Sequence, residues 1–177
     1  FKKIDLNEFY KGINLVESGL IRTNADELTY HFHVFIRYKL ECLLIENQLN
    51  VNDLSDAWDD LYMKLLGVKP PTAIEGVLQD VHWAHGSFGY FPTYSLGSLY
   101  AAQFYDAAVR TNPEIIPELK RGETAQLMQW LNKSIYEKGR MFDSEEICNM
   151  STGSGLNPDI FIDYLTQKYQ TVYQFSR

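Results

Sequence analysis

Apolar side chains recur at intervals of three and four residues along most of this chain, the spacing that places them on one face of an α-helix. The longest such stripe covers about five helical turns. We predict that its helix begins at Thr23 or Asn24, because either side chain can accept the first free backbone N–H groups. Asp26 and Glu27 then place negative charge at the positive end of the helix dipole. The stripe comprises Leu28, Phe32, Phe35, Ile36, Leu40, Leu43 and Leu44.

A second helix is predicted after Asn50. Asp53 is its expected N-cap, and Gly67 its expected end, just ahead of two prolines. Its predicted buried face consists of Leu54, Trp58, Leu61, Tyr62 and Leu65.

Helical spacing returns after Pro92 and again behind a predicted N-cap at Thr124. Two more helices carry start signals: a capping-box pair, and an N-cap residue followed by proline at the first helical position. These signals are Asp143 with Glu146 and Asn157 with Pro158. The pattern as a whole predicts a mostly α-helical, multi-helix fold.

Residues 72–94 differ from the rest, because they lack a steady helical period and are rich in glycine and aromatic residues. Such a composition is typical of a shaped loop or a short strand near a functional site. We therefore expect a short loop or strand segment there, joining two helical halves.

Composition narrows the class of protein. A chain of 177 residues with 45% hydrophobic content is enough for one sizeable core, so we predict a single unit over residues 1–177. A net charge of −7 argues against nucleic-acid binding, and no apolar run reaches the length of a membrane span. Cys42 and Cys148 are far apart and have no C-x-x-C spacing, so neither a disulfide framework nor a thiolate zinc site is indicated, and a reducing cytoplasm fits best.

The histidines give weak signals for a metal. His31 and His33 diverge by about 200° on a helix, so they cannot share one ion. Asp80, His82 and His85 form D-x-H-x-x-H, but no glutamate follows the first histidine as a zinc hydrolase helix requires. We therefore assign no metal ligand in this chain.

Hydrogen-bonding chemistry is the other interpretation of the 72–94 segment. His82, His85, Tyr90 and Tyr94 surround two glycines, and imidazole N–H and phenol O–H groups are donors that stabilise a developing oxyanion. An aromatic segment packed in the core accounts for the same residues equally well. The residues alone leave both interpretations open.

Two motifs indicate a family. GVLQDVHW at 76–83 resembles the G-x-x-Q-D-x-H-W signature of the carboxypeptidase Taq family, and IRTNAD at 21–26 is similar to its I-R-x-x-A-D motif. ELTYHFHVFIRYKLE, HGSFGYFPTYSLGSLYAAQ and the tail from GRMF onward also match its pattern, so the resemblance covers essentially the whole chain. Tyr136 departs from it, since many relatives have histidine there.

The resemblance implies a zinc metallocarboxypeptidase whose metal is held by an H-E-x-x-H helix and a downstream glutamate, both N-terminal to I-R-x-x-A-D. Neither occurs here. We therefore interpret the chain as the C-terminal portion of a longer enzyme, with the zinc ligands outside it and no activity when alone. The family also implies a homodimer.

Site residues follow from the resemblance. Arg22 is expected to bind the terminal carboxylate of the substrate, for which a planar bidentate donor is suited, although most such arginines are simply solvated at the surface. Arg37 is a weaker candidate for substrate binding, because it can pair with Glu41 one turn later.

The spacing H-x-x-x-G-Y-x-x-x-Y also resembles the substrate-side segment of related helical oligopeptidases. It assigns His85 and Tyr94 to the carbonyl of the scissile bond and Tyr90 to the peptide backbone. Asp80 is expected to orient His82 as a hydrogen-bond acceptor.

The implied reaction is attack of zinc-bound water on the last peptide bond, with His85 and Tyr94 stabilising the oxyanion and Arg22 selecting a free C-terminus. The alternative is a non-catalytic helical interaction module, or a pseudoenzyme, that retains the family fold. An H-E-x-x-H motif upstream distinguishes the two.

Overall fold

Eight α-helices form the regular structure of residues 4–175, the part that this computed structural model describes, and no β-strand occurs among those residues. Residues 4–95 with 172–174 form one compact unit, and residues 96–171 with 175 form a second. The predicted mostly helical fold is confirmed. The helices are α1 (Leu6–Ile13), α2 (Tyr30–Ile45), α3 (Leu54–Leu66), α4 (Pro92–Thr111), α5 (Ile115–Lys120), α6 (Ala125–Ser134), α7 (Ser144–Thr152) and α8 (Pro158–Tyr173).

Residues 1–3 and 176–177 of the predicted segment 1–177 lie outside the described residues. Within 4–175, no helix combines the length and the apolar character that crossing a membrane requires.

Helix α2 begins later than predicted, because the expected start falls in a separate 3-10 turn over Arg22–Asn24. Asp26 caps the turn that leads from there into α2. Its carboxylate accepts hydrogen bonds from the backbone N–H groups of Leu28 and Thr29, each at 2.9 Å. Bonds of this kind satisfy backbone N–H groups that have no acceptor ahead of a helix. Asp26 thus closes the turn from which α2 starts at Tyr30.

Helix α3 has its predicted limits. It follows Asp53 and ends at Leu66, and Gly67 takes the left-handed conformation, φ +70°, that terminates many helices. Helices α2 and α3 enclose the core of the first unit, in which the rings of Trp58 and Tyr62 stack with centroids 5.1 Å apart. The buried members of this core are Ile36, Leu40, Trp58, Tyr62 and Leu66.

The second unit contains both predicted start signals. Asp143 and Glu146 form the capping box of α7, each side chain accepting the backbone N–H of the other at 2.8 Å. Helix α8 begins at Pro158 behind Asn157. The pattern did not predict α5, whose six residues, Ile115–Lys120, are too few to show a helical repeat.

Residues 72–94 form a loop of tight turns up to the start of α4, with one 3-10 turn over Trp83–His85. Gly86 and Gly89 have φ values of +81° and +77°, a left-handed conformation that glycine adopts without steric cost. The predicted loop or short strand is therefore a loop, folded back on itself at two glycines.

His33 lies on α2 with no exposed surface. Its Nδ1 atom is 2.9 Å from the hydroxyl of Tyr62 on α3. Burial lowers the pKa of His33 to about 4, and the positive charges of Arg37 and Arg22 act in the same direction. The imidazole is therefore neutral in the folded protein at neutral pH, and it joins α2 to α3 as part of the core.

We expect the free energy of unfolding to fall as the pH drops from 6.5 towards 4. Unfolded His33 binds a proton near pH 6.5, whereas the folded protein does not take it until about pH 4. Protonation of His33 therefore costs the folded protein no stability above pH 6.5, and between pH 6.5 and pH 4 it lowers the free energy of unfolding by on the order of 3 kcal/mol. Urea denaturation at pH 7, 6 and 5 should show a shallower pH dependence for His33→Gln than for the wild type. Equal slopes for the two proteins would contradict the assignment.

Candidate functional site

A carboxylate held between two buried arginines forms the base of the candidate site. Asp80 Oδ1 accepts hydrogen bonds from Arg22 Nε at 3.1 Å and Arg22 Nη2 at 2.7 Å. Asp80 Oδ2 accepts one from Arg37 Nε at 2.5 Å. The side chains of Arg22, Arg37 and Asp80 are 8%, 0% and 11% exposed. The 3-10 turn, helix α2 and the 72–94 loop thus meet at one carboxylate.

The cluster carries one more positive than negative charge. Burial opposes ionisation of Asp80, but the two guanidiniums outweigh it and hold the pKa of this carboxyl below its usual value. Aromatic faces cover both cations: Arg37 lies 4.5 Å from the ring centroid of Trp58, and Arg22 lies 4.9 Å from that of Tyr94. Such contacts are stronger where water is excluded. The site therefore keeps a net positive charge in a largely apolar setting.

Arg22 retains donors for a further acceptor. Of its five side-chain N–H groups, Nε and Nη2 each use one on Asp80, and Nη1 uses one on the hydroxyl of Tyr30 at 3.2 Å. One N–H remains on each terminal nitrogen. A pair of donors on the two terminal nitrogens matches the two oxygens of a carboxylate that approaches end-on.

Gln79 positions this arginine, a role that the pattern of the sequence did not indicate. Its side-chain oxygen accepts the backbone N–H of Arg22 at 2.9 Å, while its amide nitrogen donates to the carbonyls of Leu20 and Glu75. The available signal was its place in the G-x-x-Q-D-x-H-W motif, directly before Asp80.

His82 and Tyr94 form a hydrogen-bonded pair beside Arg22. His82 Nε2 lies 2.9 Å from the Tyr94 hydroxyl. The expected orientation of His82 by Asp80 does not occur, because His82 Nδ1 is 4.0 Å from the carboxylate, whose oxygens are taken by the arginines. Burial lowers the pKa of His82, and the nearby arginines lower it further although Asp80 acts oppositely. The imidazole is thus neutral at pH 7.

Tyr90 and His85 lie at the exposed side of this pair. The Tyr90 ring is 5.3 Å from that of Tyr94 and 5.8 Å from that of His82. His85 is exposed, its ring is 6.0 Å from that of His82, and its Nδ1 is 3.0 Å from Ser87 Oγ. The structure therefore brings His82, Tyr90 and Tyr94 into one group, with His85 at its edge.

Arg22 and Arg37 are both buried, and neither has the environment that the sequence alone suggested. Arg37 contacts Asp80, so the pair with Glu41 that the helix spacing offered does not form. Glu41 instead accepts hydrogen bonds from Trp83 and Gly89 in the loop. Helical spacing detects partners one turn apart but not partners on another segment, which explains the difference.

The described residues do not fit a metal centre. Within residues 4–175, no group of three or more histidine, cysteine, aspartate or glutamate side chains is arranged to hold an ion. In the D-x-H-x-x-H triplet, Asp80 is committed to two arginines and the two imidazole rings are 6.0 Å apart.

Comparison with known proteins gives a consistent result. A family model described as Carboxypeptidase Taq (M32) metallopeptidase matches residues 1–169. The chain is 43% identical over 173 residues to Carboxypeptidase 1 of Bacillus subtilis (strain 168), and 41% identical over 170 residues to Thermostable carboxypeptidase 1 of Thermus thermophilus. The M32 carboxypeptidase from Deinococcus radiodurans R1 superposes with a TM-score of 0.95 at 38% identity.

These alignments include nearly all of this chain but only part of each relative. They cover 98% of the chain and 34% of the B. subtilis protein, 96% and 33% for T. thermophilus, and 98% and 35% for the D. radiodurans structure. The chain thus spans about a third of the length of the curated relatives it matches.

Replacing Asp80 with asparagine should lower the free energy of unfolding by about 3–5 kcal/mol, because it removes the negative charge between two buried guanidiniums. Urea denaturation at pH 7 measures the loss. Asp59→Asn is the matched control, since Asp59 pairs at 3.5 Å with a largely exposed Lys69, and surface pairs contribute about 0–1 kcal/mol. Equal losses in the two variants would show that the bridge to the arginines contributes no more than a surface pair.

Proposed function

Because this chain belongs to the carboxypeptidase Taq (M32) metallopeptidase family, we propose that it is part of a zinc metallocarboxypeptidase that removes residues from the C-terminus of peptides. One observation carries the proposal: the guanidinium of Arg22, with two uncommitted N–H groups, lies against Tyr94, which is hydrogen-bonded to His82. A cation and neutral donors at one place are what a terminal carboxylate and an adjacent carbonyl require.

In this proposal, Arg22 binds the free carboxylate of the peptide. Two N–H groups on its terminal nitrogens can donate to the two carboxylate oxygens, and the Asp80 bonds along its other edge prevent rotation. A planar, pre-oriented fork loses less conformational entropy on binding than a lysine does. Recognition of a carboxylate at this point would restrict cleavage to the end of a chain.

Tyr94 and His85 act on the carbonyl of the scissile bond. The hydrogen bond to His82 fixes the orientation of the Tyr94 phenol, and the neutral imidazole avoids repulsion with Arg22. His85 would contribute a second donor from the exposed edge, and Tyr90 would contact the peptide backbone. Donors held in advance stabilise the charge that develops on the carbonyl oxygen.

Arg37 and Asp80 support Arg22 without contacting the substrate themselves. Arg37 has no exposed surface, so we propose that it supports substrate binding through Asp80, which it holds against Arg22. Asp80 in turn fixes Arg22, and it lies 4.0 Å from His82 Nδ1 without bonding to it.

The described residues supply no metal site, so we propose that the zinc ligands belong to another part of the intact protein and that this chain alone is inactive. By the same family membership, we propose that the intact protein acts on peptides in the cytoplasm as a homodimer.

Tyr94→Phe in the intact protein should lower kcat by about 10²- to 10³-fold with little change in KM, because the hydroxyl bond to the carbonyl forms mainly in the transition state. Steady-state kinetics on an N-terminally blocked peptide measure both constants. Tyr105→Phe, at a half-exposed tyrosine of the second unit, is the control and should be unaffected. A wild-type kcat with a lowered melting temperature would limit Tyr94 to packing. An intact protein without peptidase activity would favour the non-catalytic interaction module.

Arg22→Ala should raise KM, because it removes a contact already present in the bound substrate. Arg22→Lys retains the charge beside Asp80 and loses only the planar fork, so it separates recognition from folding. We expect KM to rise at least about tenfold in both variants, in line with the loss of one charged hydrogen-bonded contact. The preference for a free over an amidated peptide C-terminus, measured as a ratio of kcat/KM values, should shrink as well. An unchanged ratio would exclude Arg22 as the carboxylate-binding residue.

A further inference from the structure

Glu41 is a buried carboxylate that the proposed chemistry does not use. It lies on α2 and is 4% exposed. Among the described residues no cation pairs with it, because Arg37, one turn earlier, pairs with Asp80. Its Oε1 accepts the indole N–H of Trp83 at 2.7 Å, and its Oε2 accepts the backbone N–H of Gly89 at 3.1 Å.

A buried carboxylate without a counter-ion destabilises the folded state more than an apolar side chain of similar size would. Removing such a group from water costs several kcal/mol, which two hydrogen bonds from neutral donors offset only in part. A leucine or methionine on α2 would pack there without that cost. The role of Glu41 therefore lies in the loop geometry that its two hydrogen bonds impose.

The two donors lie at opposite ends of one loop. Trp83 directly follows His82, and Gly89 directly precedes Tyr90. Between them the chain passes through His85 and reverses at Gly86, φ +81°. By accepting one donor from each end, Glu41 closes this loop and fixes its two ends at one point on α2.

The same carboxylate ties the loop to the core. The Trp83 ring packs edge to face against Trp58 on α3 and against Phe91, with centroids 6.1 Å apart in each case. Its N–H end is held by the buried Glu41 carboxylate. Charge-assisted hydrogen bonds of this kind are shorter and stronger than bonds between neutral groups.

We infer that Glu41 is a positioning residue, which holds the 83–89 loop closed and thereby sets the positions of His82, His85 and Tyr90 relative to Tyr94. The inference rests on the proposed carboxypeptidase function, because it assigns Glu41 to the same substrate site. Glu41 touches neither substrate nor the reacting atoms in this assignment.

The test compares Glu41→Gln with Ile36→Val in the intact protein. The amide keeps one acceptor oxygen but turns an N–H₂ group towards a second donor, so one end of the loop is released. Ile36→Val is the matched control, since it removes a buried methylene from the same helix, leaves both Glu41 hydrogen bonds to the loop in place and costs about 0.5–1.5 kcal/mol.

Two readouts are combined. Hydrogen–deuterium exchange read by mass spectrometry should be faster in peptides covering 83–91 of Glu41→Gln and unchanged in those covering 54–66. For the same variant kcat should fall by at least about tenfold, and KM should change less, because displacement of about 1 Å can cost 10²-fold in rate. Ile36→Val should leave kcat and loop exchange at wild-type values.

A double-mutant cycle then tests the bond itself. Trp83→Phe removes the indole N–H and keeps an aromatic ring. Its kcat should therefore fall, but by less than that of Glu41→Gln. The cycle pairs Trp83→Phe with Glu41→Leu, which removes both acceptor oxygens; this double variant should be no slower than Glu41→Leu alone, since the bond to Trp83 is already absent there.

The outcomes separate the two claims. Faster loop exchange with unchanged kcat, or faster exchange throughout the core, would overturn the positioning role and leave the proposed function standing. Absence of activity in the wild type would overturn the proposed function itself. Multiplicative losses of kcat in the double variant would show that Glu41 and Trp83 act separately and would also overturn the inference.

Discussion

Asp80 accepts hydrogen bonds from Arg22 and Arg37, and the folding of the first unit depends on this shared carboxylate. Two guanidiniums cannot be buried beside each other without an anion, and Asp80 is the residue that reaches both. Its bond from Arg37 fixes one point of the 72–94 loop against α2. His82, which pairs with Tyr94, lies two residues after Asp80. The loop that carries the candidate site is therefore held in place by ion pairs as well as by aromatic packing.

Local signals in the sequence predicted most helix limits correctly. Asp53, Gly67 and the capping box at Asp143 act on backbone groups a few residues away, and no tertiary contact is needed to interpret them. The start of α2 was predicted too early because several candidate caps stand close together, and only the folded turn shows that Asp26 takes the N–H groups.

The candidate site was predictable to a smaller extent. Motif resemblance assigned one substrate site to Arg22, Asp80, His82, His85, Tyr90 and Tyr94; in the structure these side chains lie near one another, with His85 at the exposed edge. It did not predict the partner of Arg37, which lies 43 positions away at Asp80, or the role of Glu41, which bonds to residues in the loop. Contacts between segments so distant in sequence leave no periodic signal in a single chain, and the helix spacing favoured a local pair instead.

The buried triad also affects how the site responds to heat. Hydration of charged groups becomes less favourable as temperature rises, so the penalty for keeping Arg22, Asp80 and Arg37 out of water decreases on warming, whereas stabilisation by apolar burial reaches a plateau. The balance at Asp80 therefore shifts towards the paired state at temperatures where the surrounding core gains nothing further. A site built on such a bridge keeps its charged groups aligned close to the temperature at which the unit as a whole unfolds.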